Sequence, residues 1–173
     1  MITPDYVRLY ADYNRWQNES LYSAAEALPD EARKQKRGAF FGSIHATLNH
    51  LLWADEMWMS RLAGTPRPVA TSIAESLSRY DDWAELREER VRFDGVISGW
   101  ADALSPEDLA GDLTWHSGAI NREMKKPMWQ LVVHLFNHQT HHRGQVHCLL
   151  TQLGAKPDVT DIPFMPGWDH RRR

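Results

Sequence analysis

The stretch best equipped for chemistry runs from Met128 to Leu153, because it holds His134, His138, His141, His142 and His147, five of the chain's nine histidines. Imidazole is both a proton carrier near neutral pH and a common metal ligand. His138 and His142 stand four residues apart, so on a helix they project side by side and can offer two nitrogens to one cation. The competing reading is structural. A histidine on an apolar face is more often a hydrogen-bonded core residue than a ligand, and HxxxH alone is a weak pattern. A third ligand from elsewhere in the chain is what the metal reading requires.

The element that carries the pair reads as a long helix opened by Pro127 and closed near Leu153, with Gly154 as its C-cap. Its apolar face is Met128, Leu131, Val132, Leu135, Val146, Leu149, Leu150 and Leu153. Measured from Leu135 at about 100° per residue, His142 falls about 20° away and His138 about 60° away, both on the core side. His134 lies near the boundary at about 100°, while His141 and His147 face outward. Cys148, at about 140°, points away from the core, which argues against a nucleophilic or ligand role. Gly144 inside a helix costs about 1 kcal/mol relative to alanine, and we expect it to mark a close helix crossing.

Three further long helices precede it. Thr3 and Pro4 read as an N-cap and first helical residue, opening a helix that runs to about residue 28 and stops at Pro29. Asp30 to Lys36 is a charged segment with the signature of a short helical turn. The second long helix spans Ser43 to Leu62 and has two apolar stripes. Ile44, Leu48, Leu51, Leu52, Met59 and Leu62 form one; Ala46, His50, Trp53, Ala54 and Met57 form the other, so it is expected to be buried on two sides. His45 and His50 are rival candidates for the third ligand, and periodicity does not choose between them. Ser72 and Glu75 form a capping box for a third long helix reaching Leu104. Leu113 to His116 and Asn121 to Lys125 flank Ser117-Gly118-Ala119 as a small hairpin. Four amphipathic helices without a sustained strand signal predict an all-α four-helix bundle. The proline-rich tail from Ala155 to Trp168 is expected to pack back across the bundle, and Arg171-Arg172-Arg173 to be solvated.

Composition narrows the function classes. At 173 residues the chain fits one domain spanning 1–173, with enough length for a substantial core. A formal charge of -3, from 20 basic and 23 acidic residues, lacks the basic excess of a nucleic-acid surface. One cysteine implies no intrachain disulfide. No signal-peptide pattern and no membrane-length apolar run leave a soluble cytoplasmic protein as the expectation. Eight tryptophans are read as core and dimer surface. Asp55 is read as a solvated or helix-pairing carboxylate and Arg143 as an interhelical partner, ahead of roles in orienting a ligand or docking an anion.

Three motifs occur in order: Tyr13-Asn-Arg-Trp16, Ser43-Ile-His-Ala-Thr-Leu-Asn-His-Leu-Leu-Trp-Ala-Asp55, and Asn137-His-Gln-Thr-His-His-Arg-Gly-Gln145. Together they resemble the DinB family of damage-inducible bacterial proteins, within the wider DinB/YfiT-like superfamily and unrelated to the DNA polymerase of the same name. The resemblance implies a four-helix bundle, often a homodimer, with a divalent metal held by three histidines. On the matching motifs those are His50, His138 and His142, which chooses His50 over His45.

Three imidazoles suit zinc or nickel, with iron or cobalt also compatible, and leave coordination positions for water or substrate. Characterised superfamily relatives include transferases that use a low-molecular-weight bacterial thiol, so the resemblance points to a metal-dependent thiol S-transferase acting on a small-molecule substrate. The alternatives are a non-catalytic metal-binding stress-response protein and a metal-dependent hydrolase. Neither nucleic acid nor membrane is an expected partner, and no residue is assigned as a catalytic acid, base or nucleophile.

Overall fold

The computed structural model describes residues 2–118 and 120–167. Trp168 and the Arg171-Arg172-Arg173 tail lie outside the described residues. The elements are α1 (Pro4–Glu26), α2 (Asp30–Lys34), α3 (Ile44–Leu62), α4 (Ile73–Ser76), α5 (Trp83–Ala103), β1 (Asp112–Ser117), β2 (Arg122–Pro127) and α6 (Met128–Gln152), with 3₁₀ turns at Glu107–Leu109 and Ile162–Phe164. The fold is all-α, with one two-stranded antiparallel hairpin as its sheet among the described residues.

Three of the four long helices start where side chains satisfy orphan backbone N–H groups, while α6 opens behind Pro127 without such a cap. Thr3 accepts from the Tyr6 amide at 3.3 Å, Ser43 from Ala46 at 3.1 Å, and Asp82 from Glu85 at 3.0 Å. α1 packs chiefly on α5 and α6, and α3 packs on the same two helices, so the four surround a shared core in the cyclic order α1, α5, α3, α6. Leu21, Leu48, Leu52, Leu86, Ile97, Val132, Leu135 and Phe136 are buried in that core. The apolar face expected for α6 is the one that packs, with Leu131, Val132, Leu135, Val146, Leu149 and Leu150 all buried.

The expected third long helix divides. Ser72 caps only the single turn of α4, accepting from the Glu75 amide at 3.2 Å, and the long helix begins ten residues later behind Asp82. Two features enforce the break, one local and one long-range. Asp82 is an N-cap placed directly ahead of Trp83, and the backbone at Tyr80 is held in both directions by Asn49 of α3. The Tyr80 amide donates to Asn49 Oδ1 at 2.8 Å, and Asn49 Nδ2 donates back to the Tyr80 carbonyl at 3.0 Å. A helix through this point would need those groups for itself.

Both stripes of α3 are buried, as expected. The second is covered within the chain by the segment between α3 and α5: the Trp53 indole donates to the Ala70 carbonyl at 2.7 Å, and Ser76 meets His50. Two-sided burial therefore does not itself call for a second copy. The hairpin pairs Asp112 with Pro127 through Ser117 with Arg122 and turns at Asn121, φ 46°. The tail lies along α1, where Tyr13 donates to the Thr160 carbonyl at 2.8 Å and Gln17 to that of Val159 at 2.9 Å. The close crossing expected at Gly144 is not found: a methyl group there would meet nothing within 4 Å. No described helix is long and apolar enough to cross a membrane.

Candidate metal centre

α3 and α6 are neighbours in the bundle, and their facing surfaces bring His50 to His138 and His142. One ligand nitrogen from each lies within 4.8 Å of the others, and among the described residues these three form the group suited to a metal ion. The Nε2 atoms of His138 and His142 are 3.1 Å apart. Tetrahedral zinc with bonds of about 2.0–2.1 Å spaces its nitrogens by about 3.4 Å, so a small opening of the pair accommodates the ion.

Hydrogen bonds set the tautomers of two of the rings. Ser76 Oγ donates its proton to the Ile73 carbonyl at 2.6 Å, so it meets His50 Nδ1 at 3.1 Å as an acceptor. His50 therefore carries hydrogen on Nδ1 and a lone pair on Nε2. The Gln145 amide oxygen accepts from His142 Nδ1 at 2.9 Å, giving His142 the same tautomer. The proton in the contact between His138 and His142 must then sit on His138 Nε2, and His138 Nδ1 is buried without a hydrogen-bond partner among the described residues. A cation at the group would take the Nε2 lone pair and move that hydrogen to Nδ1. The donor set fits a divalent transition metal, with one ring left to adjust.

The rings are neutral at physiological pH. Burial, then His142, pushes His50 down to about 4; burial, then His142 and His50, pushes His138 down to about 3. Burial lowers His142 as well. Neutral imidazole is the form that binds metals. Phe41 covers the group from the turn before α3, its ring centroid 4.0 Å from that of His50 and 5.2 Å from that of His142.

Beside the histidines a polar ring closes around all four long helices. Arg143 of α6 donates to Asn14 of α1, and Asn14 donates to Asp94 of α5 at 3.0 Å. Asp94 pairs with Arg90 at 2.8 Å, Arg90 donates to Asp55 of α3 at 2.7 Å, and Gln139 of α6 donates to Asp55 at 3.0 Å. All six residues are buried. Burial pushes Asp55 up to about 6 against the pull of Arg90 and Gln139, while on Arg90 burial is outweighed by Asp94 and Asp55, which hold it charged. Gln139 and Arg143 each follow a candidate ligand in sequence, so the ring grips α6 beside the site.

The remaining sequence candidates fall outside the group. His45 Nε2 meets the Tyr80 carbonyl at 2.7 Å and is structural. His134 lies at the edge, 5.9 Å from His138 between ring centroids. Asp55 is completely buried, which corrects its reading as solvated and supports the helix-pairing one; Arg143 is likewise an interhelical partner, and Cys148 is exposed. Ser76, Gln145 and Phe41 were not singled out by sequence reasoning. Gln145 alone left a signal there, standing three residues after His142 on the same helix.

Fold and site together define a helical-bundle protein with three histidines positioned to bind a metal ion. The chain belongs to the DinB family, whose family model matches residues 1–173. It is 27% identical over 154 residues to Protein DinB of Bacillus subtilis (strain 168), covering 89% of each chain. A crystal structure of a DinB-like protein from Bacillus cereus ATCC 10987 shares the fold with a TM-score of 0.59 at 20% identity, over 83% of this chain and 90% of that one.

Proposed function

We propose that the protein is a divalent-metal-dependent enzyme that transfers a low-molecular-weight thiol to an electrophilic small molecule, with His50, His138 and His142 as the ligands. The observation that carries this reading is a group of three neutral imidazoles, two of them fixed in the ligating tautomer, with no carboxylate or thiolate completing the set among the described residues. A structural zinc is normally closed by four protein ligands, whereas three leave a position for a reactant. Bound there, a zinc or nickel ion supplies Lewis acidity that favours the thiolate form of a thiol at neutral pH. The chain's own parts are to hold the ion, to orient the rings through Ser76 and Gln145, and to shield two of them with Phe41.

Metal analysis of untagged protein, followed by assays with bacterial thiols and a chloro-nitroaromatic electrophile, tests the reading. Stoichiometric metal and turnover lost in His138→Ala are expected; a metal-free native protein, or turnover unchanged in that variant, overturns it. Loss of melting temperature on chelation with no turnover on any thiol supports the non-catalytic reading instead. A cytoplasmic homodimer completes the proposal. The family resemblance supports the homodimer, and a monomer mass by light scattering at micromolar concentration counts against that part.

A further inference from the structure

Beside the histidine group, where the end of α3 meets the hairpin, a cation rests on an aromatic shelf with no anion of the described residues opposite it. The Arg61 guanidinium stands 4.7 Å from the Trp58 ring centroid and 5.9 Å from that of Trp115. The two indoles meet edge to face at 5.9 Å. Trp58 meets His134 at 4.9 Å, and His134 meets the candidate ligand His138 at 5.9 Å. An aromatic wall therefore runs unbroken from Arg61 to the site.

Arg61 differs from the other enclosed arginines. Arg33, Arg79, Arg90 and Arg143 each donate to an oxygen of the protein. Arg61 is half-buried and forms no hydrogen bond or ion pair among the described residues; its Nε, like those of Arg33 and Arg90, is buried without a partner. Thr65 Oγ1, in the loop that follows, is also buried without one. Burial, then the like charge of Arg67, works against the guanidinium. Stacking on indole accounts for where the side chain lies, but it leaves Nε unmet and gives the terminal nitrogens no protein acceptor among the described residues.

We propose that Arg61, on the shelf of Trp58 and Trp115, is the subsite for the carboxylate of a small-molecule ligand whose other end reaches the three-histidine group. A planar carboxylate matches the guanidinium fork, and the body of the ligand lies along the indole and His134 rings. Delivery of the reactive end rests on the proposed function above, whereas the carboxylate subsite stands on the surroundings of Arg61 alone.

The test titrates cobalt-loaded protein with ω-mercapto acids of increasing chain length and the matching ω-mercapto alcohols, reading thiolate-to-cobalt absorption. Metal-free protein is titrated in parallel with the sulfur-free carboxylic acids, reading the indole N–H NMR signals of Trp58 and Trp115. Acids are expected to bind at least about tenfold more tightly than alcohols at the best length, as a charge-assisted pair warrants. Arg61→Gln removes that preference and Arg61→Lys retains part of it. If no thiolate absorption develops while carboxylates still shift the indole signals in an Arg61-dependent way, the metal-thiol reading falls and the subsite stands. Equal affinity of acids and alcohols at every length, or a preference unchanged in an Arg61→Gln protein of wild-type melting temperature, overturns the subsite.

Discussion

Each candidate ligand has a different relation to its proton, and that difference is measurable. His50 and His142 already carry hydrogen on Nδ1, held by Ser76 and Gln145, whereas His138 must exchange tautomers to ligate through Nε2. Long-range nitrogen–proton NMR of the imidazoles should show two rings unchanged on adding zinc and one, His138, passing from the Nε2–H to the Nδ1–H form. All three rings unchanged would mean that the ion binds elsewhere. Ser76→Ala and Gln145→Ala should each weaken zinc affinity by about 10- to 100-fold, as loss of a partner that orients a ligand does, while leaving melting temperature close to wild type. Affinity unchanged in both would show that the bundle alone sets the ring orientations. At this scale the inward placement of His138 and His142 was legible from periodicity on α6, since one face of that helix is clearly apolar. The choice between His45 and His50 was not, because α3 is buried on both sides and its two stripes carry one histidine each.

Between elements, the buried ring through Asn14, Asp94, Arg90, Asp55, Gln139 and Arg143 ties α3 to α6 at the level of the histidines. Arg90→Met leaves Asp55 and Asp94 buried without their cation and should cost about 3–5 kcal/mol in chemical denaturation. The double variant Arg90→Met with Asp55→Leu should recover part of that loss, because it removes one of the stranded charges. A single-variant cost below about 1 kcal/mol would show that the ring contributes little beyond packing. Gly144→Ala should stabilise the protein by about 0.5–1 kcal/mol, because α6 gains propensity there and the added methyl meets nothing. The ends of α1, α3 and α6 were legible from their capping residues and prolines. The break between α4 and α5 was not: Ser72 and Glu75 are a sound local start signal, and what ends α4 so soon is Asn49, about thirty residues away in sequence, bonded to the Tyr80 backbone. Since Ser76 sits at the end of α4, the same long-range bond helps place the partner of His50.

Across the whole molecule, the site leaves a signature in the pH dependence of stability, and the sign follows from the direction of the histidine shifts. In the metal-free fold burial holds His50 near 4 and His138 near 3, against 6.5 for an ordinary histidine. As pH falls below about 6.5 the unfolded chain takes up protons that the folded rings refuse, so stability is full above that value and declines progressively toward about 4 for His50 and about 3 for His138. Asp55 works in the opposite sense. Its folded value of about 6 lies above the ordinary 3.8, so its contribution is lost as pH rises through that window and offsets part of the histidine slope. A single melting curve at one pH mixes these effects, and a comparison separates them. His138→Gln keeps a polar side chain but cannot titrate, so denaturant stability of the metal-free variant between pH 6.5 and 4.5 should fall less steeply than that of wild type, by about one proton's worth of slope. Saturating zinc should steepen the wild-type decline, because the ion binds only neutral rings and its stabilisation disappears as they are protonated. Parallel slopes for wild type and variant without metal would mean that His138 is solvated enough to titrate normally, and the buried, neutral ligand set described for the bundle would not hold.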